Sequence, residues 1–152
     1  MKVEGVYSFP GPPQKVWDLL LDPESLRACI PGVEQLTETG PDSYDAVMKV
    51  GVAAIRGTYK GKVSITGKNE PQDYVLNVEG SGGPGFVKGA ARVTLAPEGA
   101  GTLVSVDGDG QVGGMIAGVG QRMLPGVAKM LMNQFFECMA ARLPRSASTP
   151  TA

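Results

Sequence analysis

One stretch of the sequence has the spacing of a known ligand-binding motif. Residues 108–113 read Gly-Asp-Gly-Gln-Val-Gly, the GxGxxG pattern of dinucleotide-binding turns. That motif needs a strand before it, a helix after it, and then a second strand that ends in an acidic residue. A helical pattern follows residue 113, but no strand pattern follows the helix. We therefore interpret these glycines as a structural passage from a strand into a helix.

Other residue types that do chemistry are scarce. The chain has no histidine, which excludes a histidine-based triad, histidine zinc ligands and a histidine pH switch. Asp107 and Asp109 flank a glycine, but the later ligands of a calcium loop are missing, which favours a surface turn. Cys29 and Cys138 are too few for a zinc site. We expect both to be reduced, half-buried residues, with a disulfide or a nucleophilic role as the alternative.

The composition is that of one ordinary folded domain. The chain has 152 residues, of which 42% are hydrophobic and 19% charged, and its net charge is -1. This apolar content excludes a mainly disordered chain, and the charge argues against nucleic acid as a partner. We expect a single domain over residues 1–143 and a disordered polar tail over residues 144–152.

The period of the apolar pattern changes along the chain. Residues 3–9 alternate like a strand, and two short helices follow, the second of which ends at Cys29. From residue 33 to residue 112, apolar and polar residues alternate in several runs, which is typical of half-buried antiparallel strands. From about Gly114 to Leu143 the apolar residues have helical spacing, and Pro125 should kink or split that helix.

These elements predict an α+β fold. We expect a curved antiparallel sheet of about seven strands wrapped on a long C-terminal helix, with two short helices after the first strand. Residues 80–89 should form a flexible junction within the sheet. One helix cannot cover a strongly curved sheet everywhere, so we expect a cavity between the two.

The positions predicted to face this cavity are almost all apolar. No paired carboxylates share that face, which indicates a site that binds a hydrophobic molecule without catalysing a reaction on it. Five of the seven methionines lie in the last helical region, where they either fill the core or form a deformable wall for a ligand. The predicted lining residues are Met48, Val50, Val52, Tyr59, Phe86, Met115, Val119 and Met123.

A glycine-rich segment should form the entrance of this cavity. Gly113, Gly114, Gly118 and Gly120 precede Pro125 in the predicted helix. Glycine costs roughly 0.5–1 kcal/mol relative to alanine inside a helix, so local opening should be easy there. We expect this segment to act as a gate.

Several segments spread over almost the whole chain resemble a known family. They are Val16-Trp17-Asp18-Leu19-Leu20, Asp22-Pro23-Glu24, Cys29-Ile30-Pro31-Gly32, Gly57-Thr58-Tyr59-Lys60-Gly61-Lys62-Val63, Gly101-Thr102, and Gly113 with Gly120-Gln121-Arg122. This pattern resembles the CoxG-like family of carbon monoxide dehydrogenase G-subunits. The resemblance implies a START-like helix-grip fold and a role beside molybdenum-containing dehydrogenases. It also implies membrane association of the enzyme and carriage of a respiratory quinone.

Two functions remain open at the level of the sequence. The first is non-enzymatic carriage of a hydrophobic small molecule, such as the respiratory quinone menaquinone, in support of a molybdenum-containing dehydrogenase of the CO dehydrogenase type. The alternative is an assembly or membrane-recruitment factor for that enzyme with no ligand role. It would dock through the last helix or through the predicted outer face of the sheet, which carries Lys49, Lys60 and Lys62. A cyclase- or lyase-like activity is a third, weaker hypothesis. We expect no cofactor, no nucleic acid partner and a cytoplasmic location, with peripheral contact at the inner face of the membrane as an open question.

Overall fold

The computed structural model describes residues 1–51, 55–119 and 123–143, without the side chain of Val119. The predicted tail over residues 144–152 lies outside the described residues. The described elements are β1 (Lys2–Phe9), α1 (Pro13–Leu20), α2 (Pro23–Cys29), β2 (Val33–Gly40), β3 (Ser43–Val50), β4 (Gly57–Asn69), β5 (Asp73–Gly82), β6 (Gly85–Glu98), β7 (Gly101–Gly113), a 3-10 helix (Gly114–Val119) and α3 (Leu124–Arg142).

The seven strands form one antiparallel sheet. Their order is β1-β7-β6-β5-β4-β3-β2, so β5 lies in the middle and β1 and β2 lie at the edges. Strands β2 to β7 are neighbours in chain order, and β1 joins the far side of β7. The predicted seven-stranded helix-grip fold is confirmed, including the two short helices and the C-terminal helix.

The inner face of the sheet carries the main core. We define this face by Tyr74, Val93 and Val106, which are buried and lie opposite one another on β5, β6 and β7. Helix α1 packs Trp17 edge to face against Tyr74, with ring centroids 5.4 Å apart. From α3, Phe136 and Met139 are buried in the same core. Burial of these aromatic and aliphatic side chains is the main force that holds the helices on the sheet.

A local cap fixes the start of α2. The Asp22 carboxylate accepts hydrogen bonds from the Ser25 backbone N–H at 3.1 Å and from the Ser25 hydroxyl at 2.8 Å. This contact satisfies one of the free donors in the first turn. The helix is therefore specified by the Asp-Pro-Glu-Ser sequence itself, and it ends at Cys29 as predicted.

A disulfide joins α2 to α3. Cys29 ends α2 and is bonded to Cys138 of α3, with the two Cα atoms 5.5 Å apart. The prediction that both cysteines are reduced is wrong. The two residues are 109 positions apart in the sequence, and only the packing of α3 against α2 brings them together.

The glycine-rich segment before α3 has a different structure from the predicted helix. Residues 108–113 are the last part of β7, where they pair with β6, and a 3-10 helix follows them directly. Gly114 has a positive φ of 76° and starts the 3-10 helix, which includes Gly118. Gly120 lies outside the described residues, and the gate itself stays a prediction. Pro125 lies in the first turn of α3, where its missing N–H costs no hydrogen bond. The 3-10 helix ends at Val119 and α3 begins at Leu124, so of the two predicted effects the split is observed and the kink is not.

The predicted flexible junction over residues 80–89 is a β-hairpin. Strand β5 runs to Gly82 and β6 begins at Gly85, so both strands continue through this segment. Their pairing has no register shift between Asp73 and Gly82. The high glycine content hid this strand pattern, because glycine contributes no side chain to the alternation.

Candidate functional site

The apolar side chains of the inner face form two separate clusters. The main core lies under α1, α2 and the C-terminal half of α3. A second cluster, which we call the end cluster, consists of buried Tyr59, Ile116 and Leu124. Val50, Ile55 and Val112 pack against it. The end cluster joins the starts of β4 and α3 to the 3-10 helix, at the opposite end of the strands from α1.

Apolar side chains between the two clusters are uncovered. Val78 and Val87 face inward on β5 and β6, yet 39% and 36% of their surfaces are exposed. Met48, on β3, is half-buried and belongs to neither cluster. Inward-facing valines on the middle strands of a sheet are normally covered by the opposite layer. Their exposure shows an apolar opening, which we call the inner cleft and define by Met48, Val78 and Val87.

Glycines form the floor of the inner cleft. Gly61 lies directly opposite Gly80, and Gly89 lies directly opposite Gly110. A Cβ added at Gly61 would overlap the Glu79 carbonyl oxygen, so no other residue fits there without moving the backbone. Because four facing positions carry no side chain, the floor lies at the level of the backbone.

The position of α3 explains why the cleft is open. The Tyr7 hydroxyl donates to Asn133 Oδ1 at 2.7 Å, and Lys129 Nζ donates to the Glu4 carbonyl oxygen at 2.6 Å. These bonds hold α3 over β1, which is an edge strand. The disulfide and the contact of α2 with α3 hold the other end. The helix is therefore fixed beside the middle strands and leaves Val78 uncovered.

Tyr59 supplies a neutral polar group at one end of the cleft. Its hydroxyl donates to the Ile55 carbonyl oxygen at 2.6 Å. Burial raises the pKa of Tyr59 above its ordinary value of 10.0, so the phenol keeps its proton at neutral pH. It can therefore form neutral hydrogen bonds with a ligand.

The described residues contain no cluster of three or more His, Cys, Asp or Glu side chains that could hold a metal ion. On the inner face, the strand positions that line the cleft carry valine, methionine and glycine, and its end carries Tyr59. Such an arrangement can bind an apolar molecule by burial, with hydrogen bonding at one end.

Three of the predicted lining residues lie on the inner face near the cleft. Met48 belongs to it, and Val50 and Tyr59 belong to the adjoining end cluster. Met115 and Met123 are exposed, on the 3-10 helix and immediately before α3. Val52 lies outside the described residues. Val119 ends the 3-10 helix, and its side chain is not among those described.

Phe86 lies on the opposite face of the sheet from the other predicted residues. On β6, Val87 and Val93 face inward, so Phe86 faces outward. Its ring lies against Gly113, where a Cβ would overlap it. Phe86 is therefore not part of the inner cleft, and its prediction as a lining residue is wrong. The alternation of β6, followed back to its first residues, gives the observed orientation.

Val78, Val87, Ile116 and Leu124 are site residues that the sequence did not single out. The first two were visible as members of alternating runs, but alternation alone does not tell which inward positions the helix leaves uncovered. Ile116 lies among glycines, and Leu124 precedes a proline. Only their packing against Tyr59 reveals their place in the end cluster.

The outer face has two open grooves, of about 1180 Å³ and about 580 Å³. The larger is lined mainly by polar side chains of the middle strands, among them Ser64, Asn77 and Gln111. The inner cleft is nevertheless the better site for an apolar molecule. Its exposed side chains are aliphatic and lie between two apolar clusters.

Comparison with known proteins identifies a family. The family model for the G-subunit of carbon monoxide dehydrogenase (CoxG) matches residues 5–144. A search of curated proteins found no match. Within the described residues, no helix is both long enough and apolar enough to cross a membrane.

Solved structures share the fold over almost the full length. A crystal structure of a conserved protein from Geobacillus kaustophilus is 36% identical, with a TM-score of 0.92, covering 96% of this chain and 97% of that one. A START superfamily protein from Mycobacterium smegmatis is 16% identical, with a TM-score of 0.72, covering 93% of this chain and 95% of that one. The second likeness establishes a START-like fold.

Proposed function

The chain belongs to the CoxG family of carbon monoxide dehydrogenase G-subunits, and from this membership we propose that it binds a hydrophobic small molecule in the inner cleft. A respiratory quinone such as menaquinone is the proposed ligand. The binding would support a molybdenum-containing dehydrogenase of the CO dehydrogenase type. The observation that carries this proposal is the exposure of Val78 and Val87 between two apolar clusters.

Burial of apolar surface supplies the binding free energy in this proposal. Each Å² of apolar surface removed from water contributes about 25 cal/mol, so covering roughly 200 Å² yields about 5 kcal/mol before the cost of association. An isoprenoid tail can meet this requirement without a charged contact. The glycine floor leaves space for such a tail next to the backbone.

A quinone head also suits the end of the cleft. Its carbonyl oxygens are neutral hydrogen-bond acceptors, and Tyr59 is a neutral donor that now bonds to Ile55. A charged head would lose its hydration without gaining an ion pair there. We propose carriage without catalysis, because the inner cleft holds no acid–base pair. The cytoplasm is the proposed location, with peripheral contact at the inner face of the membrane.

Filling the cleft tests this function. We expect Val78→Trp to reduce menaquinone affinity at least about tenfold, because the indole would occupy the space of the ligand. Val6→Trp is the matched control, since Val6 is exposed on the outer face of β1. Fluorescence titration of both purified variants measures the affinity, and native mass spectrometry identifies the lipid that copurifies. Equal affinity of Val78→Trp and Val6→Trp would remove the inner cleft as the site.

A further inference from the structure

Phe86 is an exposed aromatic side chain on the outer face of the sheet. It is 48% exposed, although β6 lies near the middle of the sheet. Its ring rests against Gly113, its partner on β7, where any side chain would displace it. Exposed aromatic side chains that are held in place are typical anchors of protein interfaces, because little conformational entropy is lost on binding.

Phe86 forms one wall of the smaller outer groove, of about 580 Å³. One row across the strands reads Val47, Lys60, Ser81 and Phe86, each opposite the next. Val47 and Phe86 are three strand spacings apart, or about 14 Å, with Lys60 and Ser81 between them. The row therefore has an apolar side chain at each end, and the short Ser81 beside Phe86 leaves space for a protruding segment of a partner chain.

The neighbouring row of the groove carries alternating charges. Asp45, Lys62, Glu79 and Lys88 lie opposite one another on β3, β4, β5 and β6. The ion pairs found within the described residues do not include Lys60, Lys62 or Lys88. These lysines remain able to pair with carboxylates of a partner.

The pattern of charges favours a protein over a membrane. A lipid surface rich in anionic headgroups would attract the lysines but repel Asp45 and Glu79, which line the same groove. A folded partner can match both signs and also place an apolar side chain against Phe86. We infer that the outer groove, defined by Val47, Lys60, Lys62, Phe86 and Lys88, docks a protruding segment of the dehydrogenase that carries charges of both signs and an apolar side chain. This inference rests on the proposed association with that enzyme and does not require ligand binding.

Affinity for the purified dehydrogenase tests the inference. We expect Phe86→Ala to weaken binding of the CO-dehydrogenase-type holoenzyme at least about tenfold in biolayer interferometry. Gly113→Ala should act in the same direction by displacing the ring. Lys60→Glu with Lys88→Glu should also weaken binding and reduce its dependence on salt. Val6→Ala, an exposed position at the edge of the same face, is the control and should leave affinity within about twofold.

Two further measurements separate the possible outcomes. Menaquinone affinity should be the same in Phe86→Ala and the parent chain, which distinguishes loss of docking from loss of the proposed ligand site. Vesicles of equal parts phosphatidylcholine and phosphatidylglycerol test the membrane as the occupant. The inference is overturned if the parent chain does not bind the holoenzyme, or if Phe86→Ala binds it normally. It is also overturned if Phe86→Ala abolishes binding to these vesicles and leaves binding to the holoenzyme unchanged.

Discussion

Four tyrosines bring hydroxyl groups to the inner face, and the apolar surroundings keep them neutral. Burial is the first cause of the raised pKa of Tyr7, Tyr44, Tyr59 and Tyr74. Nearby carboxylates raise the pKa of Tyr7 and Tyr44 further. A phenolate in this environment would lose hydration, and although Arg27 lowers the pKa of Tyr44, burial and the nearby carboxylates raise it more.

This arrangement predicts a loss of stability at alkaline pH. A raised pKa in the folded state means that the folded chain holds protons that the unfolded chain releases above pH 10. The contribution of these neutral tyrosines to the free energy of unfolding is fully present below pH 10. It is lost as the pH rises through their pKa in the folded state. We expect the urea midpoint to fall above pH 10 and to fall less steeply in Tyr74→Phe. Parallel curves for the two proteins would contradict the role of Tyr74.

At the residue scale, the alternation of apolar and polar residues correctly identifies which side chains face inward on most strands. It places Tyr44, Tyr59 and Tyr74 on the inner face, where they are buried. Phe86 was predicted to lie in a flexible junction and not in a strand, because the surrounding glycines interrupt the alternation from which the orientation of strand residues is inferred. A strand continued from Val93 back to Val87 gives the observed orientation, but that requires recognising the hairpin first.

At the scale of elements, the sequence specifies those that depend on local contacts. Pro13 and the Asp22 cap determine where α1 and α2 begin, and both were predictable. The 3-10 helix was not, because it depends on the distant β5–β6 hairpin. The Ile116 N–H donates to the Pro84 carbonyl oxygen at 2.9 Å across 32 positions of sequence. No local pattern reveals such a bond.

Because a disulfide joins α3 to α2, we expect part of the stability of the fold to depend on this bond remaining oxidised. Cys29 and Cys138 close a loop of more than 100 residues, so the bond restricts the unfolded chain strongly. We expect reduction to lower the free energy of unfolding by roughly 2–5 kcal/mol. Urea unfolding with and without dithiothreitol measures this change. The variant Cys29→Ser with Cys138→Ser is the control, and its stability should not respond to the reductant. An unchanged midpoint for the parent chain would contradict the prediction.

At the scale of the whole molecule, the fold could be predicted from the order in which strand-like and helix-like spacings of apolar residues follow one another along the chain. One strand, two short helices, six strands and a long helix leave few arrangements other than a sheet around a helix. The position of the opening did not follow from the sequence. It depends on the bonds that hold α3 at the edge strand, such as Tyr7 to Asn133, and these join residues 126 positions apart.

The molecule therefore presents two different surfaces on the two faces of one sheet. The inner cleft is aliphatic and lies between the main core and the end cluster. The outer groove carries alternating charges beside Phe86. Since these faces share strands β3 to β6 but not side chains, ligand binding and docking should be separable by substitution.

Photolabelling tests the central claim most directly. A menaquinone analogue with a diazirine on its isoprenoid tail is bound to the purified protein and activated by light, and the labelled peptides are identified by mass spectrometry. We expect saturable labelling at Met48, Val78 and Val87, which unmodified menaquinone suppresses. Labelling confined to the outer face around Phe86, or labelling that menaquinone does not suppress, would contradict an apolar ligand site in the inner cleft.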